Sequence, residues 1–154
     1  SGDDVALKLP MKVRSETRYN GAVAIHRGPL VYSLKIGERL EQVKRHHSTL
    51  PVIDWAIHPT TPWNYGLLLD RQNPEKSIQV LRVAEPGPQP FAQETAAVVL
   101  RAKGRVLPAW KLEANSAGET PVSPVRSGEP LADLELVPYG CTRLRISEFP
   151  VLAE

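Results

Sequence analysis

The sequence predicts an all-β protein, an antiparallel β-sandwich of short strands with little or no helix. Three observations carry that prediction. Apolar and polar residues alternate in several short runs, the period-two signature of half-buried strands. Pro and Gly turn signals separate those runs at short intervals. Proline is abundant, 15 of 154 residues, against an average of about 5%, which leaves little room for helices of ordinary length.

The first run has Val5, Leu7, Leu9, Met11 and Val13 on one parity and Lys8, Lys12, Arg14, Glu16 and Arg18 on the other. It predicts a strand with one buried face; Pro10, on the wet parity, marks an edge or bulge. Asn20-Gly21 is a hairpin signal, and residues 22–27 read as the return strand, with Val23 and Ile25 inward. Gly28-Pro29 bends the chain. Residues 30–36 alternate again, with Leu30, Tyr32, Leu34 and Ile36 on one face. Residues 38–47 give the only plausible helix, of one or two turns, from the spacing of Leu40, Val43 and His47. Residues 50–62 read as loop.

Short strands are expected at 67–69 and 78–83, joined by a polar turn over 70–76. The run Glu85-Pro86-Gly87-Pro88-Gln89-Pro90 reads as a rigid, extended connector. Residues 97–102 form another strand candidate, and Trp110 and Leu112 alternate with Lys111 and Glu113. Residues 115–130, rich in Gly, Ser and Pro, read as a long surface loop. Two last strands, 134–137 and 143–149, flank a Pro138-Tyr139-Gly140 turn. The total is eight or nine short strands, which fits a sandwich or barrel.

The chain is long enough for one domain with a real core, and 42% of its residues are hydrophobic. The formal charge of +2, from 19 basic and 17 acidic residues, argues for neither nucleic acid nor an anionic membrane as partner. The run Lys44-Arg45-His46-His47 reads as a solvated face. The single cysteine, Cys141, allows no internal disulfide and offers one sulfur to a metal. No apolar run reaches the ~18 residues of a membrane span, and no secretion signal is visible. Ser1-Gly2 reads as a cloning remnant, so the chain is expected to be a piece of a longer protein.

A search for chemistry finds no phosphate-binding glycine loop and no nucleophile elbow. Adjacent His46 and His47 would point to opposite faces of a strand and could not chelate one ion together; His26 and His58 sit beside bends. A glycosidase needs two carboxylates at a fixed separation, and spacing in a β-protein does not reveal one; Glu148 is set aside as catalytic. No catalytic, cofactor-binding or metal-ligating residue is assigned. The one suggestive segment is Pro62-Trp63-Asn64-Tyr65-Gly66. Trp63, Asn64 and Tyr65 are candidates for carbohydrate contact or domain docking, because aromatic faces stack on sugar rings. The blander and favoured reading has the rings plug the end of the sandwich.

Four segments resemble one family. Arg27-Gly28-Pro29-Leu30-Val31-Tyr32, Pro62-Trp63-Asn64-Tyr65, and Lys103-Gly104-Arg105 with Pro108-Ala109-Trp110 are similar, in order, to stretches of the β-L-arabinofuranosidase-like proteins. These are glycoside hydrolase family 127 and its relatives, formerly domain of unknown function 1680. The closing stretch, residues 136–150 from Leu136 to Pro150, resembles that family's last motif. The resemblance implies that chemistry belongs to an upstream helical (α/α)6 barrel, where a glutamate and a cysteine cluster around zinc do the work. Cys141 does not match those cysteines, so no catalytic residue carries over.

On this reading residues 1–154 are a non-catalytic accessory β-sandwich domain of a larger glycoside hydrolase. Its partner would be the upstream helical-barrel catalytic domain of the same polypeptide. The closing strand is expected to return beside residues 5–13. The alternative is a carbohydrate-binding module with its own affinity for an oligosaccharide; a free-standing small enzyme is the third and least supported class. No cofactor is expected in the chain, and its cell compartment is left open.

Overall fold

The structure is a computed structural model and describes residues 2, 5–7, 9–82 and 88–153. It is an all-β, antiparallel, sandwich-like fold. Its main sheet is built from β1 (Val13–Thr17), β2 (Val23–Arg27), β3 (Leu30–Leu34), β6 (Tyr65–Leu68), β7 (Gln79–Arg82), β8 (Val98–Val106), β11 (Ala132–Pro138) and β12 (Glu148–Phe149). Two small ribbons complete it, β4 (Glu38–Arg45) with β5 (Ile53–Pro59), and β9 (Leu112–Glu113) with β10 (Ser116–Ala117). A single helical turn, α1 (Pro74–Ser77), stands in the polar segment expected to be a turn.

The Asn20-Gly21 signal forms its hairpin. Both residues have positive φ, 54° and 67°, a backbone region that Asn tolerates and Gly adopts without strain. The turn sets the register Thr17↔Val23 through Val13↔Arg27. That register explains why the strand expected over residues 5–13 begins only at Val13. The described residues upstream, 5–7 and 9–12, precede the Val13↔Arg27 pair at the end of β2, where the Gly28-Pro29 turn starts, and belong to no strand. Val5, Leu7, Leu9 and Met11 are exposed; Lys8 lies outside the described residues.

The sheet runs β1-β2-β3-β11-β8-β6. The last segment of the chain links β2, one strand in from the β1 end, to β6 at the other end. Glu148 and Phe149 pair with Ala24 and Val23 of β2. Beyond them, Leu67 of β6 donates to the Pro150 carbonyl and accepts from the Leu152 N–H, both at 2.8 Å. One stretch thus spans from β2 to β6, and the curled sheet closes into a ring. Only residues 148–149 of the strand expected over 143–149 are strand, and they lie beside β2 rather than beside residues 5–13.

The main core fills this ring. Val23, Ile25, Tyr32, Leu34, Leu67, Leu100, Leu134, Leu136 and Phe149 are buried there. The nine-residue β8 organises it, pairing with β11 on one side and with β6 and β7 on the other. At Gly104 a Cβ would lie 2.6 Å from the Gly66 carbonyl oxygen and 2.7 Å from Leu134 Cδ1. Three strands meet there too closely for any side chain. Two satellite clusters lie outside the ring: Ala96, Val99, Val137 and Cys141, and Leu107, Trp110 and Leu152.

Residues 38–47 and 50–62 depart from expectation. The segment read as helix is strand β4, and the segment read as loop contains strand β5. Leu40 pairs with Ile57 and Gln42 with Trp55, and a bulge at Val43 interrupts the register. The bulge places the apolar residues at uneven intervals that mimic a helical period. The expected loop over 115–130 holds as irregular structure apart from β10, and the first half of the proline-rich connector, residues 85–87, lies outside the described residues.

Candidate functional site

The segment 62–66 leads from the β4–β5 ribbon into β6, and three interactions fix it. The Asn64 side-chain amide donates to the backbone carbonyls of Leu107 and Trp110, at 2.8 and 3.0 Å. The Leu107 N–H returns a bond to the Asn64 carbonyl at 2.7 Å. The Trp63 ring meets the Trp110 ring edge-on, with centroids 5.1 Å apart and planes at 69°, a favourable aromatic geometry. Trp110 is itself buried, and its indole N–H donates to the Gly118 carbonyl at 2.9 Å. Asn64 therefore clamps the 107–110 turn onto β6, and Trp63 is the lid of that clamp.

Trp63 and Tyr65 are both partly buried, but they face different clefts. Trp63 lines an apolar cleft of about 470 Å³ with Ile36, Ile57, Leu112, Leu144 and Ile146. Tyr65 lines a polar cleft with Lys35, Glu38, Glu135 and Arg143. Burial raises the pKa of its phenol above the ordinary value. The rings form no common platform on which one sugar could lie. In the Tyr65 cleft, the nearly buried Glu38 carboxylate accepts from Arg143 Nε at 2.7 Å and from Gln93 Nε2 at 2.9 Å. That carboxylate anchors the start of β4 and is fully engaged.

Cys141, His46 and His47 are engaged structurally. The Cys141 thiol is buried beside Ala96, Val99 and Val137, and burial pushes its pKa up. A thiol held protonated is a poor nucleophile and a poor ligand. His46 Nε2 lies 2.6 Å from Asp54 across the ribbon. His47 Nδ1 accepts from the Thr49 and Leu50 N–H groups and so shapes the ribbon's tip. Among the described residues no three His, Cys, Asp or Glu side chains are placed to hold a metal ion. Likewise, no described helix is long and apolar enough to cross a membrane.

No protein-family model matches the chain, and no curated protein and no solved structure matches it either.

The structure adds one site that the sequence did not single out. Glu16, Arg18, His26, Tyr139 and Glu148 line a trough of about 380 Å³ on the outer face of the ring. They come from β1 and the residue that follows it, β2, the 3-10 turn Tyr139–Cys141 and β12. Only ring closure brings Glu148 beside Ala24, so no local pattern in the sequence could have announced the group.

Proposed function

We propose that this chain is a non-catalytic β-sandwich domain supporting the helical-barrel catalytic domain of a family 127-like glycoside hydrolase. The observation that carries this reading is the use made of the Pro62-Trp63-Asn64-Tyr65 segment. Its amide is committed to two backbone carbonyls and its indole to Trp110, which is the work of a scaffold. The other resembling segments also serve architecture. Gly104 permits the close approach of β6, β8 and β11, and the stretch 136–150 supplies the end of β11, Val137 and Cys141 of a satellite cluster, and the closing strand. The proposed partner is the barrel of the same polypeptide.

The test compares this chain with a longer polypeptide that carries the upstream reading frame. The longer protein is expected to hydrolyse an arabinofuranoside, and the isolated chain is not. Turnover by the isolated chain, abolished by Glu148→Gln, would overturn the reading. An upstream frame that encodes no helical barrel would do so equally. A carbohydrate-binding module acting through Trp63 is the second reading; its support is the apolar cleft that this ring lines.

A further inference from the structure

Two incomplete halves of a strand pairing lie at opposite rims of the ring. At one rim β1 begins, where Val13 pairs with Arg27 and Arg27 with Leu30. The chain reaches that rim through a stretch that belongs to no strand. Met11 is held there, its sulfur accepting from the Arg27 guanidinium at 3.6 Å. Upstream of it Leu9, Leu7 and Val5 are 67, 81 and 93% exposed. They share one parity with Met11, the pattern of a strand with an apolar face, and that face is bare.

At the opposite rim β3 ends, and its Leu34 N–H donates to the Ile146 carbonyl at 2.8 Å. There too β6 starts, with Tyr65 paired to Val106 at the end of β8. The apolar cleft of about 470 Å³ opens at this rim, lined by Ile36, Trp63 and Ile146. One of its walls is the edge of β5, residues 56–59, and another carries Leu112 and Ala117 of the β9–β10 ribbon.

The β5 edge is open, since β5 pairs with β4 alone. Across their ribbon Thr60 donates to the Gly37 carbonyl at 2.8 Å. Bonded pairs alternate with unbonded ones along an antiparallel ladder. Counted from the Gly37–Thr60 pair, Pro59, Ile57 and Trp55 turn their main-chain groups outward. Pro59 has no N–H to offer, as suits an edge strand. Ile57 and Trp55 each present an N–H and a C=O that no other described residue meets. An open edge beside an apolar cleft accepts an extended chain by strand addition: main-chain bonds hold the chain, and the cleft takes alternate side chains.

We propose that the cleft of one molecule takes residues 5–11 of a second copy as an added strand against β5. The donor supplies what the acceptor lacks, an extended chain with apolar residues at alternate positions. Bonded to β5 through Val5, Leu7 and Leu9, the segment turns Pro10 to its far edge, where the missing N–H costs no bond. Donor and cleft lie at opposite rims, so the contact is heterologous. Each molecule gives its segment to one neighbour and receives that of another, and assembly continues head to tail. Two clefts pairing with each other would instead stop at a dimer. The inference does not rest on the accessory-domain reading, and the turnover comparison proposed above is read separately.

Sedimentation velocity of the chain between about 10 μM and 1 mM tests the assignment. The mean mass is expected to rise with concentration and to pass that of a dimer. Leu7→Asp combined with Leu9→Asp removes the donor. Leu112→Asp, at a position 54% exposed, spoils the cleft. Each variant should stay monomeric over the same range, and an equimolar mixture of the two should stop at a dimer, because one donor and one cleft then match. Hydrogen exchange at the Trp55 and Ile57 amides should slow by about tenfold or more in the associated parent. That measurement needs no variant, so it tests the pairing even where a substitution unfolds the chain. A parent that stays monomeric overturns the proposal, as does association without added protection at those two amides. A folded variant that associates like the parent, or a mixture of folded variants that stays monomeric or grows past the dimer, overturns it equally.

Discussion

Strands β8 and β4 have nine and eight residues, and they are strands for different reasons. β8 is paired along both edges, and its alternate residues Leu100 and Ala102 are buried in the ring. Its conformation is dictated by what surrounds it. β4 has one partner, β5, and is exposed over most of its length. Leu40, Val43, Val52 and Trp55 all remain open to solvent. Cross-strand contacts hold this ribbon, including Glu41 with His58 at 3.3 Å and, at its tip, His46 with Asp54 at 2.6 Å. Exposed pairs of this kind contribute little each, and an isolated two-stranded ribbon is marginal in water. One molecule thus contains β-structure set by burial and β-structure set by local pairing alone.

Substitutions can sharpen that contrast. The largest effect is expected at Phe149, which is fully buried in the ring at its point of closure. Phe149→Ala should cost about 3–5 kcal/mol and lower the denaturation midpoint accordingly. A loss below about 1 kcal/mol would mean that the closing segment is not integral to the core. Asn64→Ala removes the donor for two carbonyls and should cost about 1–3 kcal/mol in the same measurement. Cys141→Ala, a small truncation in a satellite cluster, should cost about 1–2 kcal/mol. Stoichiometric zinc bound through that thiol would show a different role.

A pH titration of stability probes the outer face of the ring. His26 is surrounded by Arg14, Glu16 and Arg18, and its pKa in the folded chain lies below the ordinary value. The unfolded chain therefore takes up this proton first. Stability should fall as pH drops below about 6.5, and stop falling from this cause once the folded-state pKa is passed. His26→Gln should flatten the melting profile in that window relative to the parent. At lower pH the carboxylates of Glu16, bonded to Arg18, and Asp70, bonded to the Asn73 and Gln72 N–H groups, have depressed pKa values. They add stability above their unfolded pKa that disappears as they protonate in the folded state. The smallest effect is expected on the ribbon. Trp55→Ala, at a half-exposed position, should shift stability by no more than about 0.5 kcal/mol. A larger loss would place the ribbon in the same cooperative unit as the ring.

The sequence made the ring's local parts legible because they obey local rules. Asn20-Gly21 forced a hairpin, and the alternation of Tyr32, Leu34 and Ile36 matched a buried face, whereas Leu30, expected on the same face, is exposed at the strand's start. The ribbon misled because its bulge breaks period two, and because burial, which makes alternation visible, is missing there. Val5, Leu7, Leu9 and Met11 misled in the opposite way: they share one parity and are exposed, because the pairing with β2 ends at Val13. For the candidate segment, the sequence correctly drew attention to Trp63, Asn64 and Tyr65, and the structure separates the two rings. The outer trough was not legible at all, since Glu16, His26 and Glu148 meet only through pairings between distant strands.

Ring closure also has a temporal side. The β1–β2–β3 hairpins join near neighbours and can form quickly. The bonds from Phe149 to Val23 and from Pro150 and Leu152 to Leu67 join residues from far-apart stretches of chain. Loops of that size must close before those bonds return any free energy, so folding dominated by such contacts is slow. On a ribosome the strands β2, β6, β8 and β11 emerge well before the segment that seals them. Until residues 148–152 arrive, β2 and β6 present open edges, ready to pair with any other extended chain.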